Sequence, residues 1–458
     1  MPINSFENYP MSWKPVITDR KGAIYTQLAE QLAGDIRNGL LKPGDKLPPQ
    51  RELADYLDVH LSTVTRAYKL CEEQGLICAK VGQGTFISSD VNTSDTLLYS
   101  NEEVNVIQLG TVLPPYNGNV KVIEFIKELL SQPDIQHFLE YRSPTGTYVQ
   151  RKNFSTWAHT VNISAAPENI LFAAGGQNAI CATILGLFRP GDRIGVNALS
   201  FSGLKAVVKT IGIQLIPLPE KRGHIDRERM EQFCRAENLK GLYFIPDHHN
   251  PTTYTMKSDE RKFIVEIVVK NNIIVIEDAI NHMFAGQNIP PIFSYAPNNT
   301  VYIFSTSKFL CAGLRVAYIV VPDQYHQSLE NALYTMNLMV SPLNLEIVNR
   351  IFNSALLQEL IAEKKQELIN RNALVNSILQ GYDIYGEATC NFRWLLLPSG
   401  WSGQDFEIEA RKKGVQIFCA DRFAIGKTTP PRAVRISISS PPDKTVLENG
   451  LTALKALL

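Results

Sequence analysis

The sequence predicts two unlike units in one chain: a small helical bundle closed by a two-stranded hairpin, then a much larger α/β unit on a buried mixed or parallel sheet. Three observations carry this. Ile24, Leu28, Leu32 and Ile36 recur every four residues, which is one apolar face of a helix, and two shorter helical patterns follow it. From about residue 106 short apolar runs alternate with amphipathic stretches, the rhythm of βα units. The length, 458 residues, allows about three structural units at roughly 100–200 residues each.

The small unit spans residues 20–88. Its first helix is broken by Lys42-Pro43-Gly44-Asp45, and the second follows Pro48-Pro49 with Leu53 and Leu57 inward. The third begins near Leu61-Ser62 and carries Val64, Ala67, Tyr68 and Cys71 on one face, with Gly75 placed as its C-terminal cap. Leu76–Ala79 and Thr85–Ile87 read as strands joined by the turn Val81-Gly82-Gln83-Gly84. Helix–helix–helix–hairpin is the layout of a winged helix-turn-helix. The strings Leu47-Pro48-Pro49-Gln50-Arg51-Glu52-Leu53-Ala54, Ser62–Tyr68 and Gly82–Phe86 resemble the DNA-binding domain of GntR-type bacterial regulators.

Composition sets the outer bounds. Lys+Arg and Asp+Glu are both 45, so no global field advertises a nucleic acid or a membrane. A chain 45% hydrophobic and 20% charged is neither disordered nor fibrous. Seven cysteines with no CxxC pair argue against a disulfide framework or a zinc site and for a reducing, cytoplasmic setting. No basic and apolar leader opens the chain, and no apolar run approaches the roughly 20 residues of a membrane span.

Residues 89–105 are polar with few large apolar side chains and read as a linker. Beyond them, Ile170–Ala174, Arg193–Val196, Gln214–Pro217, Gly241–Ile245, Ile273–Ile276, Val301–Phe304 and Val316–Val320 read as strands. Residues 106–458 form the large unit, with a smaller C-terminal part from roughly 345. Ser305-Thr306-Ser307-Lys308, with Arg315 seven residues on, suits a Schiff-base lysine beside a phosphate: hydroxyls and a guanidinium bind the dianion, and burial makes the amine nucleophilic. A surface lysine after a strand has the same short string. Gly175-Gly176-Gln177 follows a strand and opens a helix, a ready phosphate site as well as an ordinary tight turn. Asn250-Pro251 is equally a turn, Asp278 equally a helix cap, Phe201 equally core and Arg435 equally an edge-strand arginine.

The joint order Gly-Gly, Phe, Asn-Pro, Asp, Ser-x-Ser-Lys, Arg resembles fold type I proteins that bind pyridoxal 5'-phosphate (PLP). The resemblance implies an aldimine at Lys308, and phosphate contacts from Gly176, Gln177, Ser305, Ser307 and Arg315. It also implies Phe201 stacked on the ring, Asn250 donating to the phenolic oxygen, Asp278 against the pyridine nitrogen and Arg435 holding an effector α-carboxylate. Tyr141-Arg142-Ser143-Pro144-Thr145-Gly146 matches the family's Tyr-x-x-Pro-x-Gly segment near the active site.

A GntR-like winged helix joined to an aminotransferase-like unit resembles the MocR subfamily of bacterial regulators over essentially the whole chain. This implies a DNA operator, a small amine, amino acid or PLP as effector, and a domain-swapped homodimer. A working aminotransferase with an accessory DNA-binding module is the alternative. On the DNA side the resemblance points to Arg51, His60, Ser62, Thr63, Thr65, Arg66, Lys80 and Gly82. Two departures stand out: Ile280 where the family usually has Tyr, and Leu61 where the recognition helix commonly opens with Arg. His248-His249 lack a third metal ligand; as neighbours in an extended segment they are expected to line the cofactor pocket or face solvent. Between residues 21 and 88 eight basic residues meet eight acidic ones, so a single DNA-binding unit is expected to have a shallow salt slope.

Overall fold

A computed structural model describes residues 11–17, 23–37, 40–41, 44–73, 76–80, 84–88, 106–221, 223–286 and 289–458. Gly75, Gly82 and the linker residues 89–105 lie outside the described residues, as does the side chain of Lys80. The chain divides into two compact units, Met1–Thr96 and Leu97–Leu458.

In the first unit the four-residue spacing becomes α1 (Ile24–Arg37), followed by α2 (Gln50–Leu57) and α3 (Leu61–Glu73). Leu28, Leu32, Ile36, Leu53, Leu57, Val64, Ala67, Tyr68 and Cys71 form one core, which also takes in Trp13, upstream of the predicted start. The Trp13 indole donates to Asp35 at 2.8 Å, so its one polar atom is satisfied. The hairpin β1 (Ile77–Lys80) and β2 (Gly84–Ile87) is antiparallel, and Lys46 adds a bridge opposite Phe86.

The second unit opens with β3 (Ile107–Gln108), which pairs not with its neighbours in sequence but with a strand more than 300 residues on. A βα series then follows: β4 (Ile170–Ala173), α4 (Gly176–Leu187), β5 (Arg193–Val196), α5 (Ser202–Ile211), β6 (Gln214–Pro217) and the short hairpin β7 (Glu220–Lys221) and β8 (His224–Ile225). After β9 (Gly241–Phe244), β10 (Ile274–Asp278), β11 (Thr300–Ser305) and β12 (Ala317–Val320) the large sheet is complete, in the order β4-β12-β11-β10-β9-β5-β6. It is mixed: β12 runs antiparallel to both β11 and β4, and every other pairing is parallel. Strands β4, β9, β11 and β12 are buried at every residue, which is why they read as continuous apolar runs rather than alternating ones.

The C-terminal part carries the antiparallel sheet β13-β14-β17-β16, from β13 (Ile384–Tyr385), β14 (Phe392–Leu396), β16 (Phe418–Cys419) and β17 (Ala433–Ser437). Strand β15 (Val415–Gln416) pairs in parallel with β3, and Ser437 of β17 donates to the carbonyl of Leu109 at 2.7 Å. Residues 107–109 therefore belong structurally to the C-terminal part, an assignment that no local pattern announces.

Candidate functional site

Carboxyl ends of parallel strands, with helix N-termini beyond them, are where an α/β sheet binds ligands. Strand β4 ends at Ala173, and the turn into α4 places Gly175 at φ +90°, a conformation L side chains rarely adopt. A Cβ there would lie 2.3 Å from Nη2 of Arg315, so glycine also lets the guanidinium approach. Gly176 packs on Ser305, whose hydroxyl lies 3.1 Å from that of Ser307. Arg315 is exposed and spends only one bond, at 3.3 Å, on the carbonyl of Ala174. Gln177 donates to the carbonyl of Gly203 at 2.8 Å, while its Oε1 is buried without a partner. Phe201 caps the start of α5 and touches the same glycine, so Gln177 and Phe201 are brought together.

Deeper in the site, Lys308 follows the end of β11, and its Nζ donates to the carbonyl of Val112. Desolvation pulls the ammonium down to about 7; Arg435 and Arg315 push the same way, and Asp278 opposes them. Asp278, at the end of β10, accepts from the Tyr243 hydroxyl at 2.8 Å and from the Ile280 N–H at 3.2 Å. Burial raises its carboxyl to about 6 against those two hydrogen bonds and the charge of Lys308. Arg435 on β17 donates to Asn250 Oδ1 at 2.5 Å and to the carbonyl of Gly110 at 2.7 Å, and its Nε is buried unpaired. Burial, then Arg422, lowers the guanidinium to about 9, and the rings of Phe392, Phe418 and Phe423 lie 4.7–5.7 Å from its carbon.

These residues fit PLP. The phosphate end offers a helix N-terminus, two hydroxyls and a guanidinium with no anion among the described residues to neutralise it. The aldehyde end offers a near-neutral amine, and the ring edge a buried carboxylate. Lys308 would hold the aldehyde carbon, Asp278 the pyridine nitrogen, and Gly176, Ser305, Ser307 and Arg315 the phosphate. Asn250 keeps its side-chain N–H groups for the ring oxygen, since only its Oδ1 is taken by Arg435.

The sequence reading missed three parts of this site. Tyr243 shares Asp278, the backbone carbonyls of Gly110 and Val112 hold Arg435 and Lys308, and a buried network holds the loop after β9. In that network Asp247 bridges Arg261 at 2.5 Å and His282 at 2.7 Å. Carbonyls carry no sequence signature, and the Tyr243 pairing exists only through sheet register. The histidine pair needs correcting. His248 has φ +44° and is not extended, and it is fully buried with Nε2 3.3 Å from Glu387; His249 is only 7% exposed. Neither faces solvent, because the loop folds under the C-terminal part. Among the described residues no group of side chains is arranged to hold a metal.

On the first unit, α2 and α3 present the predicted DNA-facing residues. Arg51, His60, Ser62, Thr65 and Arg66 are exposed, and Thr63 is half-buried. His60 caps α3: its Nδ1 accepts from the Ser62 N–H at 3.2 Å and lies 2.7 Å from the Ser62 hydroxyl. Thr65 donates to Gln50 at 2.8 Å, and the guanidinium of Arg66 lies 4.3 Å from the centre of the Tyr25 ring. Arg51 makes no bond to the described residues.

Comparison with known proteins agrees with both halves. The family described as Aminotransferase class I and II matches residues 104–454, and that described as Bacterial regulatory proteins, gntR family, matches residues 24–87. The HTH-type transcriptional regulator YdeF of Bacillus subtilis is 43% identical over 100% of this chain and 99% of its own length. The HTH-type pyridoxine biosynthesis transcriptional regulator PdxR of Corynebacterium glutamicum is 24% identical over 66% of each chain. Among solved structures, an archaeal alanine:glyoxylate aminotransferase superposes with a TM-score of 0.71 at 20% identity, covering 80% of this chain and 93% of that one. With a GntR-type unit at one end and an aminotransferase-like unit at the other, the chain belongs to the MocR-type GntR regulators, PLP-dependent DNA-binding proteins of transcription.

Proposed function

We propose that the protein reads a small amine, an amino acid or PLP itself at Lys308 and reports it to a DNA operator. The supporting observation is a buried amine that bonds the Val112 carbonyl and is lowered to about 7 by burial, then by the charges of Arg435 and Arg315. Bound PLP supplies an aldehyde that exchanges amines and a ring that withdraws electrons. At neutral pH a large fraction of Lys308 is uncharged and nucleophilic without a separate base. Arg435 selects a carboxylate when its bond to Gly110 or Asn250 yields, and that exchange is what links occupancy to the C-terminal part.

On the DNA, Arg51 leads because it is exposed and uncommitted. Arg66, Ser62, Thr63, Thr65 and the free edge of His60 follow, with Lys80 and Gly82 at the wing. The neutral charge of one unit favours two readers, and the resemblance to MocR-type regulators supports a domain-swapped homodimer as the working form. Val120, Ile123, Leu139, Tyr141 and Val149 are 50–82% exposed, and apolar surface of that kind marks an interface. The setting is the cytoplasm; among the described residues no helix is long and apolar enough to cross a membrane.

The test titrates purified protein with alkylamines, ω-amino acids and L-amino acids. It follows the visible absorbance of bound PLP and, in parallel, operator affinity by gel shift. One class should move both. Borohydride reduction should fix the cofactor to the wild type and not to Lys308→Ala. Fixation in that variant, or an absorbance change with no change in operator affinity for any amine, would overturn the proposal.

A further inference from the structure

A cavity of about 650 Å³ lies within the large unit, and Lys308 does not line it. Its walls come from the loop after β5, the β7–β8 hairpin, the loop 249–260 and, from the C-terminal part, β14 and the segments around residues 386 and 429. Three carboxylates stand in those walls, each fixed by donors of the protein. Glu220 accepts from the Ala198 N–H at 3.0 Å and from Asn197 at 3.1 Å. Glu260 accepts from the Tyr254 hydroxyl and from the Lys257 N–H. Glu387 accepts from Thr255 at 2.9 Å and sits against His248. Among the described residues the one lysine or arginine in the walls is Lys257, which is exposed.

An independent observation points the same way. His249 lines the cavity while more than nine-tenths buried, and its Nδ1 is engaged with Thr252 at 2.7 Å. No described residue bonds its Nε2, which is the polar edge left for an occupant. Burial lowers the imidazole to about 4, so the ring is neutral at physiological pH and adds no cation to the acidic wall. Trp394, nearly buried, supplies an indole in the same wall. Fixed carboxylates, an aromatic face and a neutral imidazole edge in a concave space are complementary to a positive charge on an apolar body.

We propose that this cavity is a second ligand site, which takes a small organic cation with an apolar ring or chain without any covalent step at Lys308. It is separate from the PLP site yet touches it through two neighbours: His249 precedes Asn250, and Trp394 stands opposite Arg435 in the β14–β17 register.

The probe is N,N-dimethylbenzylammonium, a tertiary amine that carries a charge and one N–H and cannot condense with an aldehyde. Isothermal calorimetry on the full-length, PLP-loaded protein should show saturable binding, with the visible absorbance of PLP unchanged. Benzyl alcohol, the neutral comparison, should bind at least tenfold more weakly. Glu220→Gln, on an exposed hairpin, should weaken the probe about threefold to tenfold, and His249→Phe should do likewise if circular dichroism shows it folded. Binding should persist in Lys308→Ala. Lack of saturable heat at millimolar probe, equal affinity for benzyl alcohol, unchanged affinity in Glu220→Gln, or loss of binding in Lys308→Ala would each overturn the assignment. None of these results bears on whether a reactive amine acts at Lys308, so this proposal and the preceding one fail separately.

Discussion

The site at Lys308 and the exposed face of α3 both recognise phosphate-bearing partners, and they do so by opposite means. At Lys308 three charged groups are withdrawn from water and held in place: Arg435 by the carbonyl of Gly110, Lys308 by the carbonyl of Val112, Asp278 by the hydroxyl of Tyr243. Desolvation shifts the titration of Lys308, Asp278 and Arg435, so small displacements there change charge states. At α3 His60, Ser62, Thr65 and Arg66 stand in solvent, Thr65 bonds Gln50 of α2, and basic and acidic residues balance across the unit. One region obtains strength from burial; the other has to obtain it from geometry.

The largest expected effect tests whether burial really holds the first region. Asp247 is 3% exposed and neutralises Arg261, which is fully buried, in the loop that carries Asn250. Asp247→Ala leaves that guanidinium uncompensated and should cost about 3–5 kcal/mol in a urea melt. A loss below about 1 kcal/mol would show that the loop does not depend on the pair.

The second effect is in pH. A lysine lowered to about 7 gains its nucleophilic form as pH rises through 7, whereas an ordinary lysine gains it near 10.4. The rate at which protein stripped of PLP captures added PLP should therefore rise about tenfold per pH unit below 7 and level off above it, followed by the growth of visible absorbance. A rate still climbing between pH 8 and 9 would place Lys308 in water, like the residues of α3.

The smallest effects lie on α3 and sharpen the contrast. Arg51→Ala should weaken operator binding by about 1–3 kcal/mol if Arg51 reaches a base edge. Arg66→Ala should cost less, because its guanidinium is already stacked over Tyr25. Fluorescence anisotropy on a labelled operator distinguishes them, and an order reversed in favour of Arg66 would mean that the stack releases on DNA.

Much of this was legible in sequence, for identifiable reasons. The buried strands announced themselves as apolar runs because both faces of the sheet are covered, and Lys308, Asp278 and Gly176 lie at strand or helix ends where local pattern fixes position. What escaped depends on distance along the chain. Gly110 meets Arg435 across 325 residues through a carbonyl that any residue type offers. Tyr243 meets Asp278 because β9 and β10 pair in one register. The histidine pair was misjudged because alternation was assumed where His248 turns left-handed. Tertiary register and backbone acceptors leave no trace in composition or spacing.

The strand β3 has a mechanical meaning. It is the first described stretch after the span 89–105 that joins the two units, and within five residues of its start the same backbone supplies the carbonyls of Gly110 and Val112. Residues 107–109 are held by β15 on one side and by Ser437 on the other, and the chain bends directly after them. The stretch that opens the large unit is thereby fixed in the C-terminal part, and its continuation places two peptide carbonyls against Lys308 and Arg435. The start of the large unit is one wall of its own site.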